Sequence, residues 1–206
     1  MSRFDLAIFD CDGVILDSRE VNRAYYNAIL MEFGRRLMNN NELSFVHMHT
    51  AEESVRYLFK DDMAAQKEAL IYAQTLDYTR FINCLIMEPG VRDTIESLRP
   101  PMLTAVSTNR STTMKRVIDI FGLDRLFDII VCALDVSNPK PDPEGVFKIL
   151  EMLGVEKDRT IYIGDSVVDE IVAYRAGIPL IAYKNKGLKA MFHVEHFVQI
   201  KTILSD

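Results

Sequence analysis

The sequence predicts an α/β protein: a parallel sheet with helices on both faces, interrupted near its start by a small, purely helical insertion. Three observations carry that expectation. An apolar run at residues 4–9 ends abruptly in Asp10-Cys11-Asp12-Gly13, and a buried strand that delivers two carboxylates at its carboxyl end is costly unless charge is handled there. After Pro89, strand-like and helix-like segments alternate, the pattern of parallel strands joined by crossover helices. Between residues 16 and 87 the periodicity is helix upon helix, with no convincing strand.

The first strand sets the polarity of the sheet. Ligands of open α/β sheets bind outside the carboxyl ends of the strands, and Gly13 lets the backbone turn away there. Two like-charged carboxylates so close need a cation or a raised pKa, and a hard oxygen site suits Mg²⁺. Read alone, the segment fits an ordinary strand-ending Asp-Gly turn equally well.

Helices are expected next at residues 21–33, 51–59 and 63–81, with Asn39-Asn40-Asn41 as a polar loop between them. This helical insertion, 17–87, interrupts a core formed by 1–16 and 88–206, with its two connections near 16–18 and 85–89. A strand at 103–107 then runs into Ser107-Thr108-Asn109-Arg110, and a helix opens at Ser111 with Met114, Val117, Ile118 and Phe121 on one face and Gly122 as its stop. Hydroxyls and amide N–H groups at such a strand-to-helix turn suit an anion such as phosphate. A strand at 129–133 leads to Asn138-Pro139-Lys140-Pro141-Asp142-Pro143, where prolines hold one lysine in stiff backbone. A helix at 146–153, a strand at 160–163 with Asp165 and Asp169 just beyond it, a helix at 168–176 and a strand at 180–183 complete a sheet of at least five strands.

At 206 residues with 49% hydrophobic content, the chain can bury a full core. A net charge of -6 and the lack of a long basic tract argue against polymeric nucleic acid as a partner. Cys11, Cys84 and Cys132 are odd in number and far apart, which predicts reduced thiols and a cytoplasmic setting. No secretory signal and no membrane-spanning apolar stretch is visible. His47-Met48-His49 and His193-Val194-Glu195-His196 lack the rest of a ligand set and are not expected to hold a metal. Cys11, on a strand, should point away from its two aspartate neighbours and be inert.

Taken in order, these segments resemble the four motifs of the haloacid dehalogenase-like hydrolase superfamily. Asp10-Cys11-Asp12-Gly13-Val14 resembles the first motif, Ser107-Thr108-Asn109 the second, Lys140 the third, and Gly164-Asp165 with Asp169 the fourth. Glu88-Pro89-Gly90-Val91 resembles the return from a helical cap in the phosphoglycolate phosphatase-like branch. The resemblance implies a Rossmann-like core and a Mg²⁺-dependent phosphatase acting on a small phosphorylated metabolite. By the same resemblance Asp10 is the nucleophile that forms an aspartyl-phosphate, and Asp12 the acid and base. Mg²⁺ lies among Asp10, the Asp12 carbonyl and Asp165; Asp169 orients Lys140 or a metal-bound water; Thr108, Asn109 and Lys140 neutralise the phosphoryl oxygens.

An acid two residues after the nucleophile departs from true dehalogenases. β-Phosphoglucomutases carry a cap histidine where this chain offers Asn22, which ranks a phosphomutase second and a non-catalytic phospho-ligand binder third. Arg19, Asn22 and Arg23 read as a solvated helix face in preference to a substrate contact.

Overall fold

The structure, a computed structural model, describes residues 3–49 and 51–205. The chain forms two compact units, Met1–Leu16 with Met87–Asp206, and Asp17–Ile86. In chain order β1 is Leu6–Phe9, β2 Leu16–Asp17, α1 Arg19–Glu32, α2 Asn40–Met48, α3 Ala51–Leu58, α4 Met63–Thr75 and β3 Ile86–Met87. Then come α5 (Val91–Leu98), β4 (Leu103–Ser107), α6 (Met114–Phe121), α7 (Leu123–Leu126), β5 (Ile129–Val131) and α8 (Glu144–Leu153). β6 (Thr160–Gly164), α9 (Val167–Ala176), β7 (Leu180–Tyr183), β8 (Phe192–Val194) and α10 (Phe197–Ser205) follow.

The larger unit is built on a six-stranded sheet in the order β5-β4-β1-β6-β7-β8, with every pairing parallel. β1 lies inside it, Leu6 pairing with Leu103 on one side and Thr160 on the other. Side chains alternate across a strand. Leu6 and Ile8 therefore share one core layer with Val146 and Ile149 of α8 and Val172 and Ala176 of α9. Phe9 enters the other, its ring 5.8 Å from Phe127 and 6.3 Å from Phe197 of α10. Burial on both faces is why β1 reads as an unbroken apolar run.

The sheet has the at least five strands expected and one more, and several element boundaries differ from the expectation. β8 adds a sixth strand, Ile181 pairing with Phe192; three residues are too few to show a period. The strand predicted over 129–133 stops at Val131, because the Cys132 amide donates to Asp135 Oδ2 at 2.8 Å and Ala133–Asp135 forms a 3-10 turn. The helix predicted from Ser111 starts at Met114, after a turn in which the Met114 amide donates to the Ser111 carbonyl at 2.9 Å.

The smaller unit packs α1–α4 around its own core, with Tyr25, Tyr26, Ile29, Leu43, Val55 and Phe59. Asn39-Asn40-Asn41 is not the predicted loop but the start of α2. The Asn39 side chain accepts from the Glu42 amide at 2.9 Å, and Glu42 Oε2 accepts from the Asn39 amide at 2.8 Å, so two amides that the helix leaves unpaired are satisfied reciprocally. The helix predicted over 63–81 breaks after Thr75: Leu76 is extended, Asp77 accepts from the Thr79 amide at 2.9 Å, and Tyr78–Cys84 winds as a 3-10 segment. His47 Nδ1 lies 3.3 Å from the Asn22 side-chain amide, His49 stacks on Phe45, and His193 Nε2 lies 2.9 Å from the Leu188 carbonyl. Among the described residues, no helix is long and apolar enough to cross a membrane.

Candidate active site

Three neighbouring strands, β4, β1 and β6, end side by side, and the polar residues just past those ends meet. Asp10 continues the ladder, its amide donating to the Ile163 carbonyl at 2.9 Å, so its backbone is fixed by the sheet. Gly13 then turns the chain at φ +87°, where a β-carbon would lie 2.1 Å from Asp165 Oδ2. A side chain would be strained by that φ and would displace the Asp165 carboxylate.

Lys140 is the centre of the cluster. It comes from the proline-flanked loop between β5 and α8, and its Nζ lies 2.6 Å from Asp10 Oδ1, 2.7 Å from Asp169 Oδ1 and 3.1 Å from the Tyr162 hydroxyl. Its side chain is 8% exposed, so the pairing takes place in a low dielectric where Coulomb attraction is strong. The Asn109 side chain donates to the Lys140 carbonyl at 2.8 Å and braces the loop. Tyr162 Oη is also 3.2 Å from the Ser107 carbonyl. Ser166, the N-cap of α9, donates its hydroxyl to Asp169 Oδ2 at 2.6 Å.

Charge in this cluster is unbalanced. One oxygen from each of Asp10, Asp165 and Asp169 lies within 4.8 Å of the others, with a single ammonium among them. Burial, which the Asp165 and Asp169 charges reinforce and Lys140 only partly offsets, pushes the Asp10 carboxyl well above its ordinary range. Burial and then Asp169 lift Asp165 to about 7. Burial also raises Asp169, but the Lys140 charge and the hydrogen bonds from Lys140 and Ser166 outweigh it and hold that carboxyl below its usual value. Burial disfavours the Lys140 ammonium; Asp10 and Asp169 more than compensate, and it stays charged. A clustered set of hard oxygens with excess negative charge fits a divalent cation.

Asp10, Asp12, Thr108, Asn109, Lys140, Asp165 and Asp169, the site residues expected from the sequence, all lie beyond the carboxyl ends of strands of this sheet. Thr108 is buried, and its Oγ1 accepts from the Arg110 amide at 3.0 Å. Asn109 is exposed. Asp12 is held in a two-pronged ion pair by Arg110, through Nε to Oδ2 at 3.1 Å and through Nη2 to Oδ1. Cys11 is fully buried, and burial followed by the Asp12 charge pushes its thiol well up, so it stays protonated and inert.

Sequence reasoning missed Arg110, Tyr162, Ser166 and Asn185, whose side chain donates to the Asp165 carbonyl at 2.8 Å. Tyr162 left a signal: a tyrosine in a strand that reads as fully buried needs a partner for its hydroxyl. So did Ser166, which sits three residues before Asp169 as the first half of a capping box.

The haloacid dehalogenase-like hydrolase family profile matches residues 7–183, a span that includes the ends of β1, β4 and β6 and Lys140. The chain is 30% identical over 184 residues to the pyrophosphatase PpaX of Halalkalibacterium halodurans, covering 78% of this chain and 86% of that one. It is 28% identical to a phosphoglycolate phosphatase of Agrobacterium fabrum, covering 85% and 78%. Among solved structures, a HAD-superfamily hydrolase, subfamily IA, variant 1, from Geobacter sulfurreducens superimposes with a TM-score of 0.87 at 35% identity, covering 98% and 97% of the two chains. With its profile spanning most of the sequence and its relatives named as phosphatases, the chain belongs to the haloacid dehalogenase-like hydrolase family, as an enzyme of its phosphatase branch.

Proposed function

We propose that the protein is a Mg²⁺-dependent phosphatase that hydrolyses a small phosphorylated metabolite through an aspartyl-phosphate formed on Asp10. The observation that carries the reading is the position of Lys140 Nζ, 2.6 Å from Asp10 and 2.7 Å from Asp169, beside the acidic group of Asp10, Asp165 and Asp169. Asp10, Asp165 and the Asp12 carbonyl would hold Mg²⁺, which when bound supplies charge stabilisation to the phosphoryl oxygens.

The chain's own residues perform the rest. Lys140 fixes the Asp10 carboxylate, which attacks phosphorus in line and displaces the leaving oxygen. Asp12 protonates that oxygen, then removes a proton from the water that attacks the aspartyl-phosphate, returning Asp10 as a carboxylate and releasing inorganic phosphate. Thr108, the Asn109 amide and Lys140 neutralise charge spread over the phosphoryl oxygens. Asp169 and Ser166 hold Lys140 in place, and the helical unit 17–86 is assigned the role of cap, selecting the leaving group.

The named activities of the relatives, on pyrophosphate and phosphoglycolate, define the first compounds to assay. The test is phosphate release from a panel of phosphorylated metabolites with Mg²⁺, wild type beside Asp10→Asn. The expected result is release from at least one compound, lost in the variant, since an amide cannot serve as the nucleophile. Turnover retained by Asp10→Asn would overturn the mechanism. Isomerised sugar phosphate in place of free phosphate would establish the mutase.

A further inference from the structure

Arg110 follows the second motif and was given no role by the sequence. Its backbone is pinned at both ends: the amide donates to Thr108 Oγ1 at 3.0 Å, and the carbonyl accepts from the Ala133 amide at 3.1 Å. Its guanidinium is pinned a third time, Nη1 donating to Thr113 Oγ1 at 3.1 Å. Nε and Nη2 of the same guanidinium meet both oxygens of Asp12.

Exposure divides unequally across that pair. The Arg110 side chain is 5% exposed and that of Asp12 36%, so the arginine is a fixed plate and the carboxylate is the partner with access to solvent. The two acids of the first motif also have separate cations, Lys140 for Asp10 and Arg110 for Asp12. An ammonium is a point charge that leaves a carboxylate free to rotate, whereas a guanidinium fork fixes its plane. Cation chemistry thus matches the demand on each acid. A nucleophile needs charge beside it, and a proton carrier needs orientation.

We propose that Arg110 is the positioning residue for Asp12: it sets the carboxylate plane from which the proton is passed to the leaving oxygen and later taken from water. The inference rests on the reading of Asp12 as acid and base. Arg110 acts through Asp12 and is not assigned a contact with substrate.

The test is a kinetic cycle of wild type, Arg110→Met, Asp12→Asn and the double variant, with Mg²⁺, on an alkyl phosphate and on 4-nitrophenyl phosphate. Arg110→Met is expected to lower kcat on the alkyl phosphate by about 10- to 100-fold, with KM held within about threefold. In single-turnover release of the alcohol the loss is smaller for 4-nitrophenyl phosphate, whose leaving oxygen needs less help from a proton. In the Asp12→Asn background, Arg110→Met costs no more than about a further twofold, because the group it positions is already disabled. Arg110→Lys restores charge without the fork and recovers only part of the rate.

Losses that multiply across the cycle, an equal loss on both leaving groups, or a change confined to KM would overturn the proposal, the last marking a phosphate-binding arginine. Thermal melts establish that each variant is folded. If Arg110→Met is not, the same cycle run with Arg110→Lys decides the question. Wild-type turnover that Asp10→Asn abolishes, beside an unaffected Arg110→Met, removes this inference alone; no turnover in wild type removes the catalytic reading with it.

Discussion

Gly13 and Asp165 meet in direct contact across two neighbouring strand ends. A β-carbon on Gly13 would fall 2.1 Å from Asp165 Oδ2, and the φ of +87° is one that side chains rarely adopt. The glycine that turns the chain after the two acids is therefore also the space that the Asp165 carboxylate fills.

Gly13→Ala should destabilise the fold by roughly 1 kcal/mol from backbone strain and weaken Mg²⁺ binding more than about tenfold by moving Asp165. Thermal melts with and without Mg²⁺ check both parts. A variant with wild-type metal dependence would mean that the carboxylate relaxes freely.

Removing Lys140 leaves Asp10 and Asp169 buried without their shared cation. Breaking a buried pair by deleting one partner costs about 3–5 kcal/mol, so Lys140→Met should lose stability on that scale in urea titrations with EDTA present, and should lose turnover as well. A loss below about 1 kcal/mol would mean that the cluster contributes no more than a surface pair.

Asp12→Asn keeps the shape of the side chain and removes its proton chemistry. Turnover should fall about 10²- to 10⁴-fold, with inorganic phosphate release as the readout, and thermal melts record the added cost of leaving the buried Arg110 guanidinium without its counter-charge. An unaltered rate would place proton transfer elsewhere.

The raised Asp165 carboxyl makes a pH prediction. Its ordinary value is 3.8 and its folded value about 7, so the metal-free folded chain binds a proton that the unfolded chain releases. Its contribution to stability is most favourable below about pH 4 and is lost as pH rises to about 7. Metal binding needs the ionised form. Mg²⁺ affinity, followed by calorimetry between about pH 6 and 8, should fall as pH drops below about 7; a flat profile would exclude Asp165 from the ligand set.

The α2 start can be tested by itself. Asn39→Ala removes one arm of the reciprocal pair with Glu42 and should cost about 1 kcal/mol, read from the thermal midpoint; no change would mean that packing alone fixes the helix start.

The sequence by itself determined the strand-and-helix alternation, the positions of Asp10, Asp12, Thr108 and Asp165 at strand ends with Lys140 and Asp169 in the segments that follow, and the family. Those features are written locally: an apolar run fixes a buried strand, and polar residues directly after it fall at its carboxyl end. Tertiary structure alone decided which charge serves which acid. Arg110 and Asp12 are 98 residues apart, and Lys140 and Asp10 130; the order β5-β4-β1-β6 brings them together, and no local propensity encodes that order. The same holds for β8, three residues made a strand by its pairing with β7. The Asn39 cap is the exception. Its signal, an asparagine three residues before a glutamate, was legible along the chain, and the three consecutive asparagines hid it by resembling a loop.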